Sequence, residues 1–500
     1  MPFDPDAAYL AITSRDARFD GRFFVGVTST GIYCRPICRV RTPMRKNCRF
    51  FETHAQAEAA SFRPCMKCRP EIAPGAGLPW TVMDASRTLA RQAADELDAQ
   101  AASGDTPSLV DLAARLGVSD RHLRRIFLVE HGVTPLQYLQ TRRLLLAKQL
   151  LTDSSLPVSQ VALASGFKSL RRFNAAFAES YRMSPSRLRG TAGLEDPNGL
   201  VTDATSAGND AVCVTLAYRA PYDVAALLRF VTLRAIPGVE AVEGHTIRRT
   251  LRAGTVCENA GWIEARFDDR TATVRLRFAP QLAPASGRVI AAVRRWLDLD
   301  ASPQTIDAAL ASLPGAPGLR LPGSLDAFEL AVRAVLGQQV TVAAARTLAR
   351  RLVERFGEPL ATPWDDVHRA FPSPALLADL PVDRIAELGI IRSRAGAILA
   401  IAKAWPQLAA HIGQRARAEP LIEALVALPG IGPWTAHYIA MRALGWPDAF
   451  PPNDVAVLKA IKQLLATTSQ READVHARAW QPWRSYAVLR LWNSLETPKP

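Results

Sequence analysis

Nowhere in the 500 residues do 18 or more apolar side chains run together, so no membrane-spanning helix and no membrane partner are expected. Met1 to Tyr9 carries two Asp and no Lys or Arg, the wrong charge for a secretory leader, and a cytoplasmic protein is expected. Cysteine is scarce: of seven, five lie between positions 34 and 68. In a reducing compartment such clustering speaks for metal or thiol chemistry rather than disulfides. Cys213 and Cys257 stand alone among apolar or small neighbours and read as buried packing thiols. Acidic residues are also short, 47 against 61 Lys and Arg, for a net charge of +14. That balance favours a polyanionic partner, nucleic acid first. The excess is local: residues 15–70 hold 12 basic against 4 acidic side chains, and residues 110–189 hold 13 against 5.

The length implies three or more domains. Composition separates an Arg- and Cys-rich block over 1–75 and a block of short helices over 80–189, entered through a helical connector at about 80–104. A Gly-, Asp-, Ser- and Thr-rich linker over 190–210 follows. Residues 211–285 are β-rich, with alternation clearest at 212–216 and 273–278 and a helix at about 223–233; residues 286–500 are helical. The fold class is therefore multidomain α+β. It comprises a small zinc-binding α/β domain, an all-α double helix-turn-helix domain, a small antiparallel β domain with helices, and an all-α domain. The second block repeats itself: Leu123, Phe127 and Pro135 recur fifty positions later as Phe173, Phe177 and Pro185, each set preceded by a Gly turn. Helix, tight turn and basic second helix make the helix-turn-helix pattern.

Cys34-x3-Cys38 and Cys65-x2-Cys68 supply four thiolates at two short spacings, enough to close a tetrahedron around one Zn2+. Cys48 stands outside both pairs. Gly31-Ile32-Tyr33-Cys34-Arg35-Pro36-Ile37-Cys38-Arg39 and Phe62-Arg63-Pro64-Cys65-Met66-Lys67-Cys68 closely resemble the N-terminal domain of the Ada family over about residues 3–72. The resemblance implies Zn2+ ligands Cys34, Cys38, Cys65 and Cys68, with Cys34 also accepting a methyl group from a DNA phosphotriester. Residues 106–189 resemble the AraC-type DNA-binding domain, through Leu112 to Ser119, Pro135 to Leu139, Val161 to Phe167 and Phe173 to Phe177. In that family two units enter successive major grooves. The recognition helices fall at about 120–129 and 169–178, where Arg121, Arg124, Arg125, Arg171 and Arg172 are left to contact DNA. Which of these arginines reads bases is open. Promoter DNA and RNA polymerase are the partners that an activator implies.

Leu428-Pro429-Gly430-Ile431-Gly432-Pro433-Trp434 reads as a hairpin between helices, whose glycines Gly430 and Gly432 let the backbone turn and offer N–H groups to a phosphate. Asp454 opens a helix 22 residues after Gly432, an interval that suits the helix-hairpin-helix glycosylases. With Asp326 to Glu329, Ala331 to Val340 and Gln481 to Ala487, residues 210–495 resemble the AlkA family of 3-methyladenine DNA glycosylases, including its small N-terminal β domain. The resemblance implies hydrolysis of the N-glycosidic bond of an alkylated base flipped out of double-stranded DNA. Asp454 is the implied catalytic carboxylate, stabilising an oxocarbenium sugar, directing water, or both. Trp434, Tyr438 and Trp483 fall at pocket-lining positions. Gln339 stands where some relatives carry an aliphatic wedge. Trp434 replaces the nucleophilic lysine of bifunctional relatives, so β-lyase activity is not expected, and no Pro-Cys-His-Arg motif for O6-alkylguanine transfer occurs. The rival reading is a transcription regulator whose C-terminal half only binds DNA.

Overall fold

The computed structural model describes residues 4–74, 85–103, 108–192, 211–256, 258–414, 418–465 and 470–496. The start of the expected connector, most of the expected linker and Cys257 lie outside the described residues. Two compact units emerge: Met1–Arg219 with Asp268–Ala291, and Ala220–Phe267 with Ala292–Pro500. Among the described residues no helix is long and apolar enough to cross a membrane.

In the first unit, β1 (Phe24–Val27), β2 (Ile32–Cys34), β3 (Cys48–Phe51) and β4 (Arg63–Pro64) form one sheet in the order β3-β1-β2-β4. β1 runs antiparallel to β2 and β3, whereas β2 and β4 are parallel, with Tyr33 opposite Pro64. That parallel register brings the next residues, Cys34 and Cys65, side by side, and the Cys65 N–H donates to the Tyr33 carbonyl at 2.9 Å. Gly26 is required at the sheet centre, since a Cβ there would lie 2.8 Å from the Phe51 ring and 2.9 Å from the Phe62 ring.

The helical block holds both copies of the repeat. Helices Asp120–His131 and Leu170–Tyr181 are N-capped by Ser119 and Ser169 and bury Leu123, Ile126 and Phe127 in one, Phe173, Phe177 and Tyr181 in the other. Each buried Phe contributes roughly 1.5–3 kcal/mol of transfer free energy. Gly117 and Gly166 turn the preceding chain at φ +69° and +82°.

The helix Pro135–Asp153 ties this unit together. Its Lys148 is buried against Glu71 at 2.5 Å, and Arg69 reaches both Glu71 at 3.1 Å and Asp153 at 2.6 Å. Asp153 also accepts the Thr215 N–H at 2.9 Å, while Gln149 donates to the Thr215 carbonyl at 2.9 Å. Thr215 belongs to β5 (Val212–Ala217). Within the segment expected as one domain over 211–285, β5 falls in the first unit, as do the residues from Asp268 on, and 220–267 falls in the second. Cys213, expected to be buried, is only half-buried: β5 alternates, and Cys213 lies on its more open face, where Arg275 donates to its sulfur at 3.2 Å.

The second unit contains β6 (Glu240–Glu243) and β7 (Thr246–Leu251), which pair antiparallel, and β7 pairs antiparallel with β8 (Gly261–Asp268); β9 (Thr273–Phe278) pairs with β5 in the first unit. The helical region is not wholly α: β10 (Glu358–Pro359) and β11 (Arg369–Ala370) form a two-residue antiparallel pair. Two apolar clusters make up its core, one including Phe328, Leu352 and Ile398, the other including Ile461, Trp480 and Leu491. The helix Pro433–Leu444 supplies Ala436, Ile439 and Ala440 to the first cluster and Met441 to the second.

Two half-buried ionisable groups, Glu58 and His54, give the first unit a pH dependence. Burial pushes the Glu58 carboxyl up to about 8 despite its hydrogen bond from Tyr33. Burial, helped by Arg142, pushes the His54 ring down to about 3. The His54 contribution is fully present above its unfolded value near 6.5 and fades as pH falls. The Glu58 contribution runs the other way, present at low pH and lost as pH rises through about 8. Between about pH 6.5 and 8 only Glu58 of this pair acts, and stability should fall by up to about 1.4 kcal/mol per pH unit. Glu58→Gln is expected to flatten that slope and to exceed wild type in denaturation midpoint at pH 8; an unchanged slope would contradict the assignment.

Candidate functional site

Three sets of functional side chains are on view. The first is the cysteine cluster, where the sulfurs of Cys34, Cys38, Cys65 and Cys68 all lie within 4.8 Å of one another. Cys34 and Cys65 come from the parallel β2–β4 edge; Cys38 and Cys68 sit in the short turns that follow. Four sulfurs this close fit a tetrahedral thiolate-binding ion such as zinc. Left to themselves they share protons unequally: hydrogen bonds within the cluster hold the Cys38 and Cys65 thiols low and the Cys34 and Cys68 thiols high. A divalent cation resolves that conflict by stabilising all four as thiolates. Cys34 is 5% exposed, and Cys68 is the one half-buried member. Cys48 lies outside the cluster and donates to the Met44 carbonyl at 3.4 Å.

Arg35 braces the centre, a role that its motif position did not reveal. Its backbone N–H donates to the Cys68 sulfur at 3.3 Å and its guanidinium to the Cys68 carbonyl at 3.1 Å. The same buried guanidinium pairs with Asp20. Asp20 lies fifteen residues upstream, so no local pattern announces the pair.

The second set lies on the two capped helices. Arg121, Arg124, Arg125, Arg171 and Arg172 are all exposed. Arg124 pairs with Asp120 at 2.9 Å, one turn back, and Arg125 meets the His122 ring at 3.2 Å. Such exposed contacts are worth little and leave these cations available to phosphates or base edges.

The third set surrounds the hairpin before helix Pro433–Leu444. Gly430 turns at φ +79°, and a Cβ there would sit 2.9 Å from the Ala397 Cβ, so the residue is demanded twice over. Gly432 caps the helix with open space around it. Gln338, another residue not singled out from sequence, braces the hairpin by donating to the Gly430 carbonyl at 3.0 Å and the Thr435 hydroxyl at 3.2 Å. Its neighbour Gln339 is exposed and adopts φ +53°.

Asn453, at φ +58°, swings the chain so that Asp454 caps the next helix. Asparagine tolerates this left-handed backbone better than most residues. Asp454 is 5% exposed. One carboxylate oxygen accepts the Val457 N–H at 2.8 Å and the Trp492 indole N–H at 3.3 Å; the other accepts the Trp434 indole N–H at 2.7 Å. The Trp434 ring stacks on Tyr438, with centroids 5.3 Å apart and planes at 6°. Trp492 also meets Tyr438, with centroids 6.3 Å apart and planes at 47°. All three rings are half-buried, so the carboxylate is rooted inside while its aromatic frame reaches the surface. Trp483 instead packs on Tyr486 at 5.9 Å, while Trp492, nine residues later in the helix Arg484–Glu496, touches the carboxylate.

Comparison with known proteins agrees with this division of labour. Family models match for the metal binding domain of Ada (residues 7–71), a helix-turn-helix domain (112–191), the AlkA N-terminal domain (213–326) and the HhH-GPD superfamily base excision DNA repair protein (332–485). A Mycobacterium tuberculosis protein named probable bifunctional transcriptional activator/DNA repair enzyme AlkA is 38% identical over 510 residues, spanning 100% of this chain and 98% of its own. The Escherichia coli DNA-3-methyladenine glycosylase 2 is 36% identical over 281 residues, 56% of this chain and 96% of that one. The regulatory protein ada of Salmonella typhimurium is 33% identical over 163 residues, 32% of this chain and 42% of that protein. Full-length similarity, the four-cysteine cluster and the indole-held aspartate together place the chain in the family of the bifunctional transcriptional activator/DNA repair enzyme AlkA.

Proposed function

We propose that this is a DNA-alkylation repair protein with three activities. Its C-terminal half hydrolyses the N-glycosidic bond of alkylated bases of the 3-methyladenine kind. Its Cys34 takes a methyl group from DNA phosphotriesters, and its paired helix-turn-helix block makes it a transcription activator with double-stranded DNA and RNA polymerase as partners. The observation that carries the reading is Asp454, a carboxylate fixed by two indoles at an open aromatic cluster.

In the reaction, water oxygen bonds to the sugar C1′ and the C1′–N bond breaks, its electron pair passing to the base. An N-alkylated purine begins as a cation and leaves neutral, so little leaving-group protonation is required. Asp454 stabilises positive charge building on the sugar, directs the water, or both, and the water proton passes to it or to solvent. The Trp434 and Trp492 rings offer electron-rich faces to a cationic base, each worth about 0.5–2 kcal/mol, with Tyr438 stacked on Trp434. Trp434 supplies no amine, so the reaction stops at hydrolysis.

At the other site, Cys34, Cys38, Cys65 and Cys68 would hold a Zn2+ ion, which when bound would keep their sulfurs as thiolates at neutral pH. The Cys34 sulfur forms a bond to the methyl carbon as the triester C–O bond breaks, leaving a phosphodiester anion. The cluster loses one negative charge. At an effective dielectric of about 20, a unit charge at roughly 7 Å from a phosphate is worth about 2 kcal/mol before screening, enough to tighten DNA binding by tens of fold. The step is stoichiometric, since nothing in the sequence suggests how a thioether would be cleaved. The burial of Cys34 favours a second reading, in which the zinc module is structural only.

Base release from methylated DNA separates enzyme from regulator. Asp454→Asn should cut release by about 100-fold or more while DNA binding persists; equal inactivity of wild type and variant in a DNA-binding sample would leave the regulator reading. After exposure to methylated DNA, mass spectrometry should find one methyl on Cys34 of the zinc-loaded protein and none in Cys34→Ala. An unmodified Cys34 in that sample would make the zinc module structural.

A further inference from the structure

Arg442 lies on the same stripe of helix Pro433–Leu444 as Trp434 and Tyr438, two turns beyond the first and one beyond the second. Three hydrogen bonds, one from each nitrogen, fix its guanidinium in place. It donates to the Pro322 carbonyl at 2.8 Å, to the Gly323 carbonyl at 3.0 Å and to the Tyr438 phenol oxygen at 2.9 Å. Its carbon sits 4.9 Å from the Phe230 ring centroid and 5.6 Å from that of Tyr438. Behind it is a cavity lined with it by Arg234, Arg249, Arg333, Glu240 and Glu329, four cations against two carboxylates.

Two consequences follow for the tyrosine. Arginine has no acceptor, so the phenol oxygen must accept, and the phenol's own hydrogen is left for another partner. Among the described residues that hydrogen has no acceptor. The cations also act on the phenol: burial alone would raise it, but Arg442 first and Arg234 next outweigh burial and hold it below the usual tyrosine value. A ring facing a fixed cation is a poorer platform for a second cation.

We propose that Arg442 is a positioning residue that sets Tyr438 as a hydrogen-bond donor to the everted base and so admits neutral bases alongside cationic ones. The inference rests on the glycosylase reading above. In a purely cation-selecting pocket, a half-buried guanidinium against one wall would work against the substrate. Here it trades some attraction for positive charge against a directed bond to a ring nitrogen or carbonyl of a neutral purine.

The test compares single-turnover release of 7-methylguanine, a cation, and hypoxanthine, a neutral purine, from otherwise identical duplexes. Wild type, Arg442→Lys, Arg442→Gln and Tyr438→Phe are measured as full chains. The readout is the ratio of the two rates in one sample, which a loss of folded protein does not change. Arg442→Gln and Tyr438→Phe should each shift the ratio about tenfold toward 7-methylguanine, and Arg442→Lys, which keeps the donor and the charge, should stay within about threefold of wild type. Release of 7-methylguanine alone by wild type, or an unchanged ratio in Arg442→Gln and Tyr438→Phe, overturns the inference and leaves the glycosylase reading standing. Release of neither base by wild type removes both.

Discussion

A carboxylate that is to meet a developing cation has to be both fixed and reachable, and Asp454, the residue proposed for that part, has both of its oxygens held. Three N–H groups hold it: the backbone of Val457 and the indoles of Trp434 and Trp492. Left buried without such donors, the group would cost several kcal/mol. The indoles do more than satisfy it. Each is also part of the aromatic wall, so the groups that orient the carboxylate are those that would face the base. The left-handed Asn453 and the strained, tightly packed Gly430 are the backbone features that make this placement possible. Gln338 and Arg442 brace the hairpin and the tyrosine from either side.

The first unit solves a related problem with sulfur. Parallel pairing of β2 with β4 aligns Cys34 beside Cys65, and the Arg35–Asp20 pair steadies Cys68. Much of the charge that braces the module is buried, in Arg35, Lys148 and the Glu71 side chain, with Arg69 half-buried beside them. Breaking one partner of such a pair is costly, by about 3–5 kcal/mol, because the other is left uncompensated. The arginines proposed to contact DNA are, by contrast, exposed and weakly paired, which would suit a contact that forms and releases with ionic conditions.

How much of this could be read from the chain depends on the range of each interaction. The four cysteines, the doubled helix-turn-helix and the Gly-turn hairpin announce themselves, because local spacing specifies them. The exposed faces of the two capped helices also follow from their 3.6-residue period. Trp492 did not, since an aromatic inside a helix looks the same whether it packs a core or touches a carboxylate 38 residues away. Trp483, which carries a motif, packs instead on Tyr486. Asp20, Gln338 and Lys148 find their partners 15, 92 and 77 residues along the chain, and no pattern of residue types encodes such pairings. The bonds from Asp153 and Gln149 to Thr215, about 60 residues on, were illegible for the same reason.

The most direct test of the central claim bypasses turnover. A duplex carrying a protonated pyrrolidine in place of one sugar presents a positive charge near where the oxocarbenium ion would form. If Asp454 meets that charge, wild type should bind this duplex about 100-fold more tightly than Asp454→Asn does, with equal binding of both to undamaged DNA. Equal affinity of the two proteins for the pyrrolidine duplex would show that the carboxylate does not face the sugar.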